Sequence, residues 1–285
     1  MATKRVRTLV LTGYGLNCEE ETAAAFSVAG SDVTIGHIND FTTSKKKGAS
    51  LRDYHILALP GGFSYGDHIG GGKIFAHKLM QSLTGDINDF ITSKRPIIGI
   101  CNGFQILIKA GLLPGLPQGR RPMLSMTTNI SAQYENRWVT VTANPTNKSF
   151  WLRDINLPLS IPARHGEGRI ILRSSYEEAL IKKHCLIALQ YSDSRGNPTQ
   201  SYPANPNGSA LALAGITNSL GNVLGIMPHP EAAFYKELIP HYLSAQPTTV
   251  AYPHPLLRQN DGVGMVFFYN AVRYVEETFL SKKPL

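Results

Sequence analysis

The stretch Pro-Ile-Ile-Gly-Ile-Cys-Asn-Gly-Phe-Gln-Ile-Leu, residues 96 to 107, decides the fold of this 285-residue chain. It begins as a short, wholly apolar strand, and its second half opens an apolar helix predicted from Phe104 to Leu112. Between them lies a Gly-x-Cys-x-Gly turn, with Gly99 and Gly103 where side chains would crowd a sharp strand-to-helix turn. The pattern predicts that Cys101 points into solvent at the carboxyl edge of a sheet, beside a helix N-terminus that favours a thiolate.

The three cysteines of the chain differ in their surroundings. Cys101 is the candidate nucleophile, although a buried, merely packing cysteine is the common alternative for a free thiol. Cys18 lacks a comparable turn, and Cys185 is predicted to open an apolar strand in the core. The absence of a Cys-x-x-Cys pair or a zinc-ligand grouping indicates a reduced compartment and no metal site.

Strands and helices alternate outward from this turn. In the first half we predict strands at Thr8–Thr12, Asp32–Ile38, Tyr54–Leu59 and Pro96–Ile100, helices at Glu19–Ala29 and Lys73–Ser93 with Gly85 as a candidate break, and a basic loop around Lys45. Apolar strands that alternate with helices predict an α/β fold, an open mostly parallel sheet with helices on both faces, as in flavodoxin-like proteins.

The second half of the chain has a different pattern of predicted strands and turns. We predict strand-like stretches within Ile130–Val141 and Leu157–Leu172, strands at Cys185–Tyr191, Leu211–Ile216 and Val223–Met227, a helix at Tyr176–His184, and an irregular segment from Phe234 to Asp261. The last predicted helix, Val263–Leu280, places Phe267, Ala271, Val275 and Phe279 on one face. These stretches fit an antiparallel extension of the sheet, and without a linker or repeat the chain reads as one domain, residues 1–285.

Composition narrows the class of protein. With 42% hydrophobic and 17% charged residues the chain can bury a core, and no window approaches a membrane span or a secretory signal, which predicts a cytoplasmic protein without membrane contact. The net charge is +8, from 28 basic and 20 acidic residues, in small clusters typical of solvated loops. No nucleic-acid motif accompanies this charge, so nucleic acid is not an expected partner.

A second candidate for chemistry follows the strand Val223–Met227. In Met-Pro-His-Pro-Glu, residues 227 to 231, proline on both sides of the histidine favours extended chain, in which residues two apart project to one side. We therefore expect Glu231 to hold one imidazole nitrogen of His229 and leave the other for a thiol. The alternative is two exposed polar residues in a proline-rich loop.

Five strings together resemble the class I, triad-type glutamine amidotransferases. They are Pro-Gly-Gly-Phe-Ser-Tyr-Gly-Asp at 60–67, Gly-Ile-Cys-Asn-Gly-Phe-Gln-Ile-Leu at 99–107, His-Gly-Glu-Gly at 165–168, Asn-Pro-Asn-Gly-Ser at 205–209, and Met-Pro-His-Pro-Glu at 227–231. They follow the family's order and span nearly the whole chain. The first two strings are most similar to the branch that forms the glutaminase components of phosphoribosylformylglycinamidine synthases, which act in purine biosynthesis.

The resemblance implies a mechanism and a set of site residues. Cys101 would attack the amide of glutamine, His229 would transfer protons, and Glu231 would orient His229. The amides of Gly62 and Asn102 would form the oxyanion hole. The glutamine pocket would be formed by Gly61, Phe63, Gln105, His165, Gly166 and Glu167.

The same resemblance implies partners. L-glutamine would be the substrate, a large synthetase subunit would receive the ammonia and carry ATP and magnesium, and a small third subunit could complete the complex. This chain itself would hold no cofactor. The sequence departs from the family pattern after Asp67 and after Glu231, where His68-Ile69-Gly70-Gly71-Gly72 and Ala232-Ala233 replace the usual arginines.

Three other functions remain open from sequence alone. The chain could be a glutaminase component for another acceptor, although the specific strings argue against this. It could be a cysteine hydrolase that does not use glutamine, although such proteins lack the late Pro-His-Pro-Glu string. It could also be a catalytically impaired regulatory subunit, although such a protein would be expected to lack one of the three candidate catalytic residues.

Overall fold

The computed structural model describes residues 5–42, 50–116, 123–243 and 252–281. A nine-stranded sheet runs through it in the order β2-β1-β3-β4-β11-β10-β9-β6-β7. The strands are β1 (Arg7–Thr12), β2 (Asp32–His37), β3 (Ile56–Leu59), β4 (Ile97–Ile100), β6 (Glu135–Ala143), β7 (Leu159–His165), β9 (Ile187–Ser192), β10 (Leu213–Thr217) and β11 (Val223–Ile226). A separate antiparallel pair joins β5 (Leu124–Thr127) to β8 (Arg169–Leu172).

The sheet has two parts with different pairing. From β2 to β11 all neighbours are parallel, and from β11 to β7 all are antiparallel. Every residue of β3, β4, β10 and β11 is buried, which explains why β3, β4 and β11 are apolar throughout and β10 is apolar except for Thr217. The predicted fold class, a parallel α/β sheet with an antiparallel extension, is confirmed.

Helices cover the sheet in two groups. They are α1 (Glu19–Val28), α2 (Ile38–Thr42), α3 (Lys73–Thr92), α4 (Asn102–Lys109), α5 (Ser175–Lys183) and α6 (Met265–Val275). One group joins α1 to α6, where the rings of Phe26 and Phe268 meet edge to face at 4.9 Å. The other stacks α3 on α4, which packs in turn on β3, β4 and β11. No helix within the described ranges combines the length and apolarity needed to cross a bilayer.

Several sequence predictions need correction. The break expected at Gly85 lies two residues earlier, at Leu83, whose φ of −122° and ψ of 15° kink α3. Cys185 is exposed and has a φ of 53°, because its amide closes the end of α5 on the Lys182 carbonyl instead of starting β9. Phe279 is 37% exposed, because the chain leaves α6 for a π-helical turn, Glu276–Leu280, that rotates it off the buried face.

Strand boundaries in the second half also differ from the predictions. Ile130 is 61% exposed in a turn, and β6 starts five residues later. Leu211 lies in a 3₁₀ turn, Ala210–Ala212, that precedes β10. Strand β5 was not predicted, because its four residues pair outside the main sheet. The predicted loop around Lys45 lies outside the described residues.

Candidate active site

The order of the parallel strands brings the candidate residues together. Strands β3, β4 and β11 are neighbours, and the carboxyl ends of parallel strands share one edge of a sheet. Gly61 and Gly62 follow β3, Cys101 follows β4, and His229 follows β11. Segments separated by up to 168 positions in the sequence therefore meet at one place.

Cys101 occupies a strained turn. Its φ of 51° and ψ of −105° lie outside the usual regions for a residue with a side chain, a strain of about 1–3 kcal/mol that the surrounding structure must hold. The two glycines that flank this turn cannot be replaced by larger residues. A Cβ on Gly103 would lie 1.9 Å from the Leu59 carbonyl oxygen, and a Cβ on Gly99 would lie 2.5 Å from the Gly103 carbonyl oxygen. The elbow is thus fixed by backbone packing.

The thiol is more enclosed than the sequence suggested. Cys101 is 6% exposed and lines a pocket instead of standing in open solvent. Its Sγ lies 3.6 Å from the Arg164 carbonyl oxygen, because the edge strand β7 passes beside the elbow. A buried thiol next to a pocket is shielded from bulk water but accessible to a small ligand.

His229 and Glu231 form a buried pair. Nδ1 of His229 and Oε1 of Glu231 are 2.6 Å apart, and the two residues are 4% and 1% exposed. Within the described chain His229 Nε2 makes no hydrogen bond, so this nitrogen remains free for the neighbouring thiol. The predicted pairing is present, but not in extended chain: Pro230–Ala233 is a 3₁₀ turn that packs its Pro230 carbonyl against Gly264 at the start of α6.

The electrostatics of this pair favour an imidazolium. Burial favours the neutral ring, but the Glu231 carboxylate and the thiols of Cys101 and Cys18 outweigh burial and raise the pKa of His229 well above its usual value. A protonated His229 beside a thiolate is the ion pair from which cysteine hydrolases begin their reaction.

Cys18 lies beside His229 and was not among the predicted site residues. A Cβ on Gly61 would lie 2.8 Å from Cε1 of His229 and 3.2 Å from Sγ of Cys18, so the second thiol lies against the histidine ring. The amide of Cys18 donates to the Gly61 carbonyl at 3.3 Å, which ties the start of α1 to the end of β3. Burial raises the pKa of the Cys18 thiol, with His229 opposing the shift. The one sequence signal was its place just after a glycine-containing loop that follows β1.

Three of these groups could in principle ligate a metal. Ligand atoms of Cys18, His229 and Glu231 lie within 4.8 Å of one another. However, ligands around a tetrahedral zinc are roughly 3.4 Å apart for bond lengths near 2.1 Å. At 2.6 Å the His229 and Glu231 atoms share a hydrogen bond instead. The geometry fits a histidine oriented by a carboxylate.

Beside Cys101 opens a pocket of about 230 Å³, smaller than the pockets of about 300–1,000 Å³ that take drug-sized ligands. Seven predicted residues line it: Cys101, Gly62, Phe63, Gln105, His165, Gly166 and Glu167. Gly61 does not line this pocket, because it lies under the ring of His229. Asp67, Thr128, Tyr134 and Arg164 line it as well, and none of them was predicted.

A network of side chains sets the shape of this pocket. Asn102 Nδ2 donates to Asp67 Oδ2 at 3.0 Å and to Gln105 Oε1 at 2.6 Å, and Gln105 Nε2 donates to the Glu167 carbonyl at 2.6 Å. Glu167 Oε2 in turn accepts the Gly71 amide at 3.1 Å. Each end of the Gln105 amide thus makes one hydrogen bond, which holds this side chain in the wall of the pocket and leaves one N–H and one oxygen lone pair without a partner in the described chain.

His165 offers a hydrogen-bond acceptor. Asn129 Oδ1 accepts the Gly168 amide at 3.1 Å, so the Nδ1 of His165, also 3.1 Å away, must carry a hydrogen and donate to it. Burial, followed by the nearby charge of His229, lowers the pKa of His165 to about 3, so the ring is neutral. Its buried Nε2 has no partner in the described chain and can accept an N–H from a ligand.

The amides predicted to form an oxyanion hole are also available. Neither the Gly62 amide nor the Asn102 amide donates to any residue in the described ranges. Gly62 has a φ of 141°, and a Cβ there would lie 2.7 Å from the Gly15 carbonyl oxygen. Only glycine fits this approach between the loop after β1 and the loop after β3.

This fold and site define a class I glutamine amidotransferase. The chain matches the model of the CobB/CobQ-like glutamine amidotransferase domain over residues 5–275, and it belongs to that family. It is 43% identical over 240 residues to the phosphoribosylformylglycinamidine synthase subunit PurQ of Methanococcus maripaludis, covering 83% of this chain and 85% of the relative. It is 35% identical over 273 residues to the PurQ of Dehalococcoides mccartyi, covering 96% and 99%.

A solved structure agrees with the sequence relatives. The structure of PurLQS from Thermotoga maritima contains a chain that superposes with a TM-score of 0.68 at 25% identity, covering 95% of this chain and 100% of that one. The likeness extends over the antiparallel extension as well as the parallel half of the sheet.

Proposed function

We propose that this chain is the glutaminase subunit of a phosphoribosylformylglycinamidine synthase and hydrolyses L-glutamine to glutamate and ammonia. The observation that carries the proposal is the meeting of Cys101 with the His229–Glu231 pair beside a small pocket. The chain's 43% identity to a PurQ subunit supports the particular synthase.

In this mechanism the Cys101 thiolate attacks the side-chain amide carbon of glutamine. The tetrahedral oxyanion takes hydrogen bonds from the free amides of Gly62 and Asn102, each worth on the order of 3 kcal/mol in the transition state. His229 gives its proton to the departing ammonia, which leaves a glutamyl thioester on Cys101. Neutral His229 then accepts a proton from the water that attacks the thioester, and glutamate and the free thiolate result.

The ammonia serves a synthetase partner. By the resemblance to PurQ subunits, a large synthetase subunit carries ATP and magnesium and receives the ammonia, and a small third subunit completes the complex in the cytoplasm. This chain contributes the amidase chemistry and no cofactor. The exposed Phe63 and Tyr134, whose rings lie 6.4 Å apart at the pocket, are suited to be covered by a partner.

Covalent labelling tests the proposed function. A glutamine-mimicking electrophile should form one adduct on Cys101, detected by mass spectrometry and blocked by excess glutamine, because Cys101 lines the pocket whereas Cys18 and Cys185 do not. Cys101→Ser should give no adduct. Cys185→Ser, which removes an exposed thiol, is the matched control and should label normally.

Labelling should be run on the chain alone and with its synthetase. An adduct that excess glutamine does not block, or equal labelling of Cys101 and Cys185 in the complex, would count against a glutamine site. An adduct on Cys18 in place of Cys101 would move the nucleophile to the other thiol beside His229.

The pH dependence of kcat/KM reports on Glu231. Because the pKa of His229 is raised, the imidazolium persists to higher pH than usual, and activity is lost as pH rises through that pKa. Glu231→Gln removes the largest cause that raises this pKa. We therefore expect the kcat/KM profile of this variant to have its alkaline limb at lower pH and a plateau about 100-fold lower than that of the wild type.

The control for this experiment is Glu237→Gln, which changes an exposed carboxylate six residues away. Its pH profile should match that of the wild type. If the alkaline limb of the Glu231→Gln profile were unchanged, its position would be determined by a group other than His229.

A further inference from the structure

The charged groups that line the pocket differ in whether they already have hydrogen-bond partners. Two carboxylates line it, and both already accept hydrogen bonds: Asp67 from Asn102 and the Gly72 amide, and Glu167 from the Gly71 amide. Of the described residues, Arg164 is the one cationic side chain in the lining once His165 is neutral. Its guanidinium makes no hydrogen bond or ion pair within the described ranges. Its charge acts on the hydroxyl of Tyr134, another residue of the lining, so among the described residues Arg164 places an unpaired cation at the pocket.

The position of Arg164 relates this cation to the nucleophile. Its carbonyl oxygen is 3.6 Å from the Cys101 Sγ, so the backbone of β7 passes directly beside the reacting thiol. The residue is exposed on the strand, in contrast to its buried neighbours Ala163 and His165. In an extended glutamine molecule the α-carboxylate carbon is roughly 5 Å from the amide carbon, a length that four single carbon–carbon bonds span. An arginine side chain that starts beside the thiol is long enough to cover that distance.

The chemistry of the α-carboxylate and of the arginine side chain agrees with this placement of Arg164. Guanidinium and carboxylate form two parallel charge-assisted hydrogen bonds, and arginine keeps its charge at every working pH. The α-ammonium of the same ligand would be placed near the Glu167 carboxylate and the unpartnered Nε2 of His165. A zwitterionic amino acid therefore matches the pattern of charge around the pocket.

On the basis of the proposed function, we infer that Arg164 binds the α-carboxylate of glutamine and selects amides that carry this group. It is a substrate-binding residue and takes no part in proton transfer.

Steady-state kinetics with two substrates test this role. With saturating synthetase partner, Arg164→Gln should raise the KM for glutamine by about 10- to 100-fold, since a hydrogen bond to a charged group is worth about 1.5–3 kcal/mol. The kcat should change less than about twofold, because the carboxylate contact is the same in the ground and transition states. For 4-aminobutanamide, which has the primary amide but no carboxylate, the variant and the wild type should have equal kcat/KM.

Two further variants make the result specific. Arg164→Lys keeps the charge but loses the paired hydrogen bonds, so its KM for glutamine should lie between those of the wild type and Arg164→Gln. Arg173→Gln changes an exposed arginine outside the pocket and should behave as the wild type. Equal melting temperatures for all four proteins would exclude a folding effect.

The failures of the two proposals are distinguishable. If the wild-type complex uses glutamine and Arg164→Gln has an unchanged KM, the role of Arg164 is refuted while the glutaminase function stands. Equal losses for glutamine and 4-aminobutanamide would also refute it, because the lost contact would not involve the carboxylate. If the wild-type complex releases no ammonia from glutamine, both proposals fall together.

Discussion

Replacing Cys101 with alanine is expected to lower the rate of ammonia release from glutamine by at least about 10⁴-fold. Without the thiol no thioester can form, and the remaining groups act only on direct attack by water. Alanine keeps the Cβ of Cys101 and removes only its Sγ from the pocket lining, so glutamine binding should change little. The measurement is glutamate and ammonia production by the complex of this chain with its synthetase, together with glutamine binding by calorimetry.

This experiment needs two cysteine controls. Cys185→Ala removes an exposed thiol, keeps the backbone amide that closes the end of α5, and should leave turnover unchanged. Cys18→Ala is more informative, because Cys18 also lies against His229. If Cys101→Ala retained normal turnover and Cys18→Ala abolished it, the nucleophile would be the thiol that follows β1, and the elbow after β4 would be structural.

Gly103→Ala is expected to destabilise the fold by about 3 kcal/mol or more. The new Cβ would lie 1.9 Å from the Leu59 carbonyl oxygen, and a backbone atom of a buried strand cannot move aside as a flexible side chain can. Any relief would require α4 to shift away from β3 and carry Cys101 with it. Urea unfolding should therefore show a lower midpoint, and any folded variant should have reduced glutaminase activity.

The matched control is Gly85→Ala. Gly85 lies in α3, is exposed, and a Cβ there would meet nothing within 4 Å. Because alanine restricts the unfolded chain and favours the helix, this change should stabilise the protein by about 0.5–1 kcal/mol. Equal stability of Gly103→Ala and the wild type would show that the elbow adjusts, and the proposed rigid placement of Cys101 would have to be abandoned.

The site also shows how this chain departs from a minimal catalytic triad. His229 has a carboxylate on one nitrogen and two thiols nearby, one from the elbow and one from the start of α1. Cys18 is held there by hydrogen bonds from the amides of Asn17 and Cys18 to the Gly61 carbonyl. The loop after β1 therefore takes part in the site, although it carries none of the three predicted catalytic residues.

Much of this protein could be predicted from sequence because the deciding patterns are local. Apolar strands such as β3, β4 and β11 are hydrophobic throughout, since both of their faces are buried, and this established the parallel α/β fold. The elbow around Cys101 was recognisable because its two close backbone approaches require glycine. The pairing of His229 with Glu231 was also predicted, although the backbone between them is a 3₁₀ turn and not extended chain.

The tertiary structure alone decided which distant residues share the site. Tyr134 and Arg164 carry no local signal, and that of Cys18 is only its place after a glycine-containing loop. Their roles depend on the loop after β1 crossing Gly61 and on the edge strand β7 passing the elbow. The burial of Cys101, the neutral state of His165 and the hydrogen bond from the Gln105 amide to the Glu167 carbonyl likewise depend on neighbours far away in sequence. Local sequence determines the backbone turns, whereas the charge and hydrogen-bond state of a side chain is determined by whatever the fold packs against it.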